Sequence, residues 1–194
     1  MSTRQLIEDV LVVGLAAAPS TALYLAINNS KMKGSTFALH PTFALAGFST
    51  IMSGVYLAAR TRPKNRKIIY IHGALNVAGT AMVLKAVNIM INMKNSNNKP
   101  HLQTPHSWLG GLTASLVVLQ TINGTISICC PPKDAAQRKE FNKKHRKIGA
   151  LTAGLFALAV ATGTMSTFSK NPCVKFTGIA TAVAAAVGAT RALI

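Results

Sequence analysis

Six long apolar stretches alternate with short polar ones along the chain. They are roughly Leu6–Ile27, Phe37–Ala59, Ile68–Ile91, Trp108–Cys130, Ile148–Thr167 and Phe176–Ile194. A helix needs about 20 mostly apolar residues to cross a bilayer core roughly 30 Å thick. The pattern therefore predicts an all-α, polytopic membrane protein with six transmembrane helices, forming one domain over residues 1–194.

Two of the segments carry signals that change their boundaries. The stretch Asp134–Lys147 before the fifth segment is long and basic, so we expect it to extend that helix beyond the membrane. In the first segment, Ala16-Ala17-Ala18 resembles a signal-peptide cleavage site. Glu8 and Asp9 spoil the positive region that such a peptide needs, and the apolar character continues to Ile27. We therefore expect the first helix to be retained.

The charge is strongly positive, with 21 Lys and Arg against four Asp and Glu and a formal net charge of +17. Such a charge favours nucleic-acid binding only when it covers a polar folded surface. Here the basic residues are clustered between apolar stretches, as in the loops of membrane proteins. Nucleic acid is thereby disfavoured as a partner, and the lipid bilayer is expected instead.

The distribution of Lys and Arg predicts the orientation of the helices, because cytoplasmic loops carry an excess of both. With the N-terminus inside, twelve lie in the cytoplasmic connections and six opposite them. The twelve are Arg60, Arg62, Lys64, Arg66, Lys67, Lys133, Arg138, Lys139, Lys143, Lys144, Arg146 and Lys147. Both termini are therefore predicted to be cytoplasmic.

The three cysteines and Lys85 show no pattern that supports a functional role. Cys129 and Cys130 are predicted at one membrane face and Cys173 near the other, so we expect no disulfide between the two faces, and no C-x-x-C-H motif for covalent haem is present. Lys85 falls inside the third segment, where a cation is costly. We expect it to reach the interface or face a polar interior.

Four histidines stand near the ends of predicted helices, at two depths. Antiparallel helices place His40 level with His106 on the outer side, and His72 level with His145 on the cytoplasmic side. Neutral imidazole is a common axial ligand of haem iron, and helical bundles hold cofactors between facing helices. The pairs predict two non-covalent haems in a central bundle of helices two to five, with iron levels roughly 20–25 Å apart.

Glycines support the same interpretation. Each of the four histidines has a glycine four or seven residues later, on the same helix face. These are Gly47, Gly79, Gly110 and Gly149. Because glycine lets a flat ring approach the backbone closely, we expect them to line the haem faces.

Two alternatives remain open at this point. A transporter or channel would use the histidines to bind a metal ion or protons without haem, and would place polar groups at the bilayer midplane. A structural or assembly protein would retain the histidines without redox function. Haem absorbance that responds to ascorbate separates both from an electron carrier.

The motifs around the histidines resemble those of the eukaryotic cytochrome b561 family. His40-Pro41 is similar to the family's His-Pro at the second helix, and His106-Ser107-Trp108-Leu109-Gly110 to its HSWLG signature. His72 after a basic cluster, and His145 with Gly149, agree with the third and fifth helices, so the haem-binding core covers about residues 36–167. The run from Lys99 to His106 looks like the short members without a DOMON domain, called transmembrane ferrireductases.

The resemblance implies two haem b groups, one held by His40 and His106 and one by His72 and His145. It implies a transmembrane oxidoreductase that takes electrons from cytosolic ascorbate and passes them to monodehydroascorbate or a ferric chelate. Family members bind ascorbate through basic residues beside the cytoplasmic haem, for which the candidates are Arg66, Lys67, Lys143, Lys144 and Arg146. It also points to an endomembrane and allows a homodimer, for which the sequence shows no interface.

Other positions are less decided. His101, beside Lys99, is the outer counterpart that would touch an acceptor or a proton path, or simply be solvated, and Trp108 suits an interface anchor. Thr42-Phe43-Ala44 follows His-Pro without the methionine common there, and Asn76 stands where many members have a second histidine. These departures bear on donor preference rather than on haem binding.

Overall fold

In the computed structural model, residues 35–61 and 66–167 are described. Four long helices account for most of them: α1 (Thr36–Thr61), α2 (Arg66–Ser96), α3 (Pro105–Cys129) and α4 (Ala135–Thr167). Each is long and apolar enough to cross a membrane. They confirm the second to fifth predicted spans. The first and sixth spans, with the cleavage-site question and Cys173, lie outside the described residues.

The helix ends follow from local sequence. Pro105 occupies the first turn of α3, and the Thr104 side chain caps it by accepting from the Ser107 backbone N–H at 3.2 Å. At α4, the Asp134 carboxylate accepts from the Gln137 backbone N–H at 3.0 Å. Asp134 thus caps a helix that begins at Ala135, ten residues before His145, which confirms that the basic stretch before the fifth span is helical.

The helices pack in an up-and-down arrangement, with α1 closest against α2 and α4 against α3. Small residues allow the closest approach, as is common where helices meet in membranes. A Cβ atom on Gly47 would lie 2.7 Å from the carbonyl oxygen of Gly79, and one on Gly79 would lie 2.8 Å from that of Gly47. The α1 and α2 backbones therefore touch at this crossing.

A compact apolar cluster fills the middle of the bundle. It contains Phe48, Val83, Ala114, Val117, Phe156 and Ala157. The rings of Phe48 and Phe156 meet diagonally between α1 and α4, with centroids 4.8 Å apart. This cluster lies between the two levels at which the histidines sit.

The outer surface is apolar, as expected of a bilayer-embedded bundle. On α3 the exposed side carries Leu112, Leu119, Ile122 and Ile126, each about half exposed. Lys85 is also exposed, on the side of α2 away from its buried face. Trp108 is 62% exposed near the start of α3, a position that suits an interface anchor.

Candidate functional site

His40 and His106 meet near the start of α1 and the start of α3. Their ring centroids are 6.1 Å apart and the ring planes are 77° from parallel. Both side chains are partly buried. The two residues are 66 positions apart in the chain, and only the antiparallel packing of the helices brings them together.

His72 and His145 form a second pair at the opposite end of the bundle, from α2 and α4. Their ring centroids are 6.4 Å apart and the rings are almost perpendicular, at 87°. Both are again partly buried. The structure therefore brings the four histidines together in the two pairs that the helix topology predicts.

The separation within each pair fits a single metal ion between two imidazoles. With each nitrogen about 2 Å from the metal, as for imidazole ligands of zinc, the ring centroids would be about 6 Å apart. Among residues 35–61 and 66–167, no group of three or more His, Cys, Asp or Glu side chains is placed to hold a metal. Haem iron needs only two axial side chains, because the macrocycle supplies its other ligands.

Hydrogen bonds orient three of the four rings. Nδ1 of His40 donates to the Ala86 carbonyl at 2.9 Å and Nδ1 of His106 donates to the Ala159 carbonyl at 2.8 Å. Nδ1 of His72 donates to the Gly54 carbonyl, also at 2.9 Å. Since a carbonyl only accepts, each ring carries its hydrogen on Nδ1 and leaves Nε2 with a lone pair for a metal.

Asn76 is an additional neighbour of His72. Its amide nitrogen donates to the His72 carbonyl at 2.7 Å and lies 3.1 Å from Nδ1. Because Nδ1 already donates to Gly54, the Asn76 amide contacts the ring without bonding that nitrogen. The residue that replaces a second family histidine thus packs against His72.

The same hydrogen bonds give the distance between the two levels. His40 meets Ala86, which lies fourteen residues after His72 on α2, and His72 meets Gly54, fourteen residues after His40 on α1. At 1.5 Å per residue the two levels are about 21 Å apart. This agrees with the separation that the sequence predicts.

His145 differs from the other three. Its Nδ1 is buried and has no hydrogen-bond partner among the described residues. The Phe141 ring stacks on it, with centroids 6.0 Å apart and planes within 13°. The Gln120 amide donates to its backbone carbonyl at 3.0 Å.

Glycines contribute to the site in a way that the sequence only partly indicates. Gly47 and Gly79 serve the α1–α2 crossing rather than a cofactor face, so their predicted role was wrong. A Cβ on Gly110 would meet nothing within 4 Å, and one on Gly149 would meet only the Gln120 amide at 3.7 Å. The space at these two positions is compatible with a flat ring, and their role beside His106 and His145 stays a prediction.

Two further glycines lie against the histidine rings of α3 and α4, and the sequence pattern did not indicate them. A Cβ on Gly163 would lie 2.7 Å from Cε1 of His106, and one on Gly124 would lie 3.3 Å from Cε1 of His145. Each glycine lies on the helix opposite the ring that it contacts, eighteen residues after the paired histidine of its own helix. That repeated spacing is the one signal that could have identified them.

The geometry agrees with the comparison to known families. The model of the eukaryotic cytochrome b561 family matches residues 39–171, which include all four paired histidines. The chain belongs to that family. No curated protein matches it. Membership makes the chain a membrane-embedded oxidoreductase that binds haem b and carries electrons across the bilayer.

The basic candidates for the donor surround the His72–His145 end of the bundle. Arg66 is the first residue of α2, and Lys67 next to it is exposed. Lys143, Lys144 and Arg146 are all exposed on α4 within one turn of His145. The sequence-predicted residues therefore share one end of the molecule.

Their positions around α4 are not equivalent. At 100° per residue, Lys144 and Arg146 flank the His145 face, whereas Lys143 lies on the opposite side of the helix. Lys144 forms an exposed ion pair with Glu140, with 3.6 Å between Nζ and Oε1. Arg146 is therefore better placed beside the His72–His145 pair than Lys143.

His101 lies apart from both pairs, in the connection between α2 and α3. It is exposed, and its Nε2 is 2.8 Å from the side-chain oxygen of Asn95. The same connection is held by Lys94, whose ammonium donates to the Pro100 carbonyl at 3.1 Å. His101 is thus fixed at the outer surface and does not join the ligand pairs.

Proposed function

We propose that the chain binds two haem b groups, one between His40 and His106 and one between His72 and His145. Through them it passes electrons from cytosolic ascorbate to monodehydroascorbate or a ferric chelate on the other side. The observation that carries this proposal is that the four imidazoles form two pairs, at two levels about 21 Å apart. The ring centroids are 6.1 Å apart in one pair and 6.4 Å apart in the other. Haem, when bound, supplies one-electron iron chemistry at both levels.

The protein orients the histidine rings and encloses the proposed haem sites. The carbonyl of Ala86 and its counterparts at Gly54 and Ala159 fix the tautomer of three imidazoles, so that Nε2 of each would be free to hold a haem iron. Between the levels, the cluster around Phe48 and Phe156 excludes water from the middle of the bundle. A dry, rigid interior keeps the geometry of both sites the same in either redox state.

The donor end is proposed to be cytoplasmic because of the excess of basic residues there. Exposed cations beside the His72–His145 pair attract an anionic reductant and favour its loss of a proton as it gives up an electron. Arg146 is the residue best placed for this on α4, with Arg66, Lys67, Lys144 and Lys143 contributing to the field. At the opposite end, His101 is exposed to an acceptor.

The proposal includes both termini on the cytoplasmic side of an endomembrane. It follows from the bias of twelve against six basic residues and from the resemblance to short family members. The six-span topology also belongs to the proposal, because the first and sixth segments lie outside the described residues.

The test uses the full chain purified in detergent. We expect two haem b groups per chain by pyridine haemochrome analysis, and a reduced-minus-oxidised spectrum on addition of ascorbate. A chain without a haem spectrum would overturn the proposal and favour a histidine-based transporter. Haem that stays oxidised with ascorbate but is reduced by dithionite would overturn the donor alone.

A further inference from the structure

The helix hairpins α1–α2 and α3–α4 carry their histidines in the same register, but one histidine hydrogen bond of the first hairpin has no counterpart in the second. In the first hairpin the hydrogen bonds are reciprocal: His40 donates to Ala86 and His72 donates to Gly54. Each acceptor lies fourteen residues after the other histidine. In this hairpin each histidine therefore bonds the helix of the other.

In the second hairpin only half of this arrangement is present. His106 donates to Ala159, which lies fourteen residues after His145. By the same register, His145 should donate to the carbonyl of Gln120, fourteen residues after His106. Instead its Nδ1 is buried without a partner among the described residues, and Gln120 uses its side chain to donate to the His145 carbonyl at 3.0 Å.

The difference has a cause in the residues at the two crossings. Seven residues after each ligand, the first hairpin has Gly47 and Gly79, and their backbones touch. The second has Thr113 and Thr152, whose side chains are 2% and 6% exposed. The contact between α3 and α4 is less extensive than that between α1 and α2, as expected where buried threonine side chains replace two touching glycines.

The looser approach is visible beside the rings themselves. On the His106 side, a Cβ at Gly163 would lie 2.7 Å from the ring, whereas on the His145 side a Cβ at Gly124 would lie 3.3 Å from it. His106 is therefore drawn against the α4 backbone, and His145 is held less tightly against α3. Phe141 stacks on the His145 ring, and the Gln120 amide bonds the His145 backbone carbonyl.

We propose that, of the four histidines, His145 donates the least electron density to its haem iron and is the least firmly held. Gln120 is the positioning residue that secures it. An imidazole whose N–H donates to a carbonyl is a more basic ligand and stabilises ferric iron. Without that bond, the haem of the His72–His145 pair is the more readily reduced of the two. The inference rests on the proposed function, since it assumes a haem at each pair.

Easier reduction of the haem at the His72–His145 pair agrees with the charges around this pair. The exposed basic residues at the start of α4 place positive charge beside it, which favours the reduced form as well. A readily reduced haem at the donor end accepts electrons from a mild one-electron reductant. The asymmetry is thus suited to electron entry at this end.

The first measurement is a potentiometric titration of the purified, haem-loaded chain, followed by absorbance. The His40→Ala variant, which should lack the outer haem, assigns the two waves. We expect the wave retained in that variant to be the one of higher potential. A retained wave of equal or lower potential would overturn the inference.

The second measurement compares Gln120→Leu with Gln137→Leu, the same change at an exposed position in the first turn of α4. We expect Gln120→Leu to shift only the His72–His145 wave, upward, and to speed transfer of that haem to excess apomyoglobin. Gln137→Leu should leave both waves and both transfer rates unchanged. Equal shifts of both waves, or none, in Gln120→Leu would remove the role given to Gln120.

The two proposals fail in different ways. A wild-type chain with fewer than two haems would contradict the proposed function. A chain with two haems, of which the His72–His145 haem is neither reduced first nor lost first, would contradict only this inference. If Gln120→Leu does not fold, the wild-type titration still decides the order of reduction.

Discussion

The carbonyl oxygen of Gly79 occupies the place that a side chain at Gly47 would need. A Cβ there would lie 2.7 Å from that oxygen, and one at Gly79 would lie 2.8 Å from the carbonyl oxygen of Gly47. Backbone cannot move aside as a flexible side chain can. The reciprocal hydrogen bonds of His40 and His72 depend on this close approach, so the crossing links packing to the geometry of both ligand pairs.

Gly79→Ala should therefore destabilise the protein by about 1–3 kcal/mol, the range typical of overpacked cores. It should also lower haem content, because separating α1 from α2 lengthens the bonds from His40 to Ala86 and from His72 to Gly54. Thermal unfolding in detergent and haem per chain are the measurements. Gly154→Ala is the control, since a Cβ there meets nothing within 4 Å; equal effects of both changes would contradict the prediction.

Gly163→Ala should disturb the His40–His106 pair selectively. The added methyl group would meet the His106 ring at 2.7 Å and push it from the Ala159 carbonyl. We expect a changed or lost spectrum for one haem while the other is retained. Gly124→Ala is the matched change beside His145, and its smaller effect should fall on the other haem; the reverse assignment would refute the pairing of glycines with rings.

Single ligand changes should fall into two classes. His40→Ala and His106→Ala should lose the same haem, and His72→Ala and His145→Ala should lose the other, because each pair is proposed to hold one iron. Haem content should be about half of wild type in every case. His101→Ala is the control and should keep both haems, and four different residual spectra would contradict the pairing.

Neutralising a cation at the donor end should weaken ascorbate use. Lys67→Gln and Arg146→Gln are expected to raise KM for ascorbate roughly two- to fivefold, the size of an exposed charge contact. The effect should shrink as salt is added, because exposed charges are screened. Lys99→Gln, in the opposite connection, is the control; an equal rise in its KM would indicate a general loss of stability.

The thiols at the end of α3 can report the orientation. Cys129 and Cys130 are free and exposed where α3 ends, at the His72–His145 end of the bundle. In a Cys173→Ser background, a membrane-impermeant maleimide should label them only from the cytoplasmic side of sealed vesicles. Labelling from the other side would invert the proposed topology.

Much of the fold could be predicted from the sequence because the bilayer imposes a simple code. Apolar length alone identified the spans that became α1 to α4, and the basic stretch after Asp134 was correctly expected to extend α4. The antiparallel order of the helices then placed His40 with His106 and His72 with His145. Depth along a straight helix is a one-dimensional quantity, and sequence position gives it directly.

The rotation and spacing of the helices could not be obtained in this way. Gly47, Gly79, Gly110 and Gly149 look alike in the sequence, yet the first two join backbones and the last two leave space. The buried Nδ1 of His145 and the role of Gln120 depend on how far α3 stands from α4. Such distances follow from side chains meeting across the bundle, which tertiary packing decides.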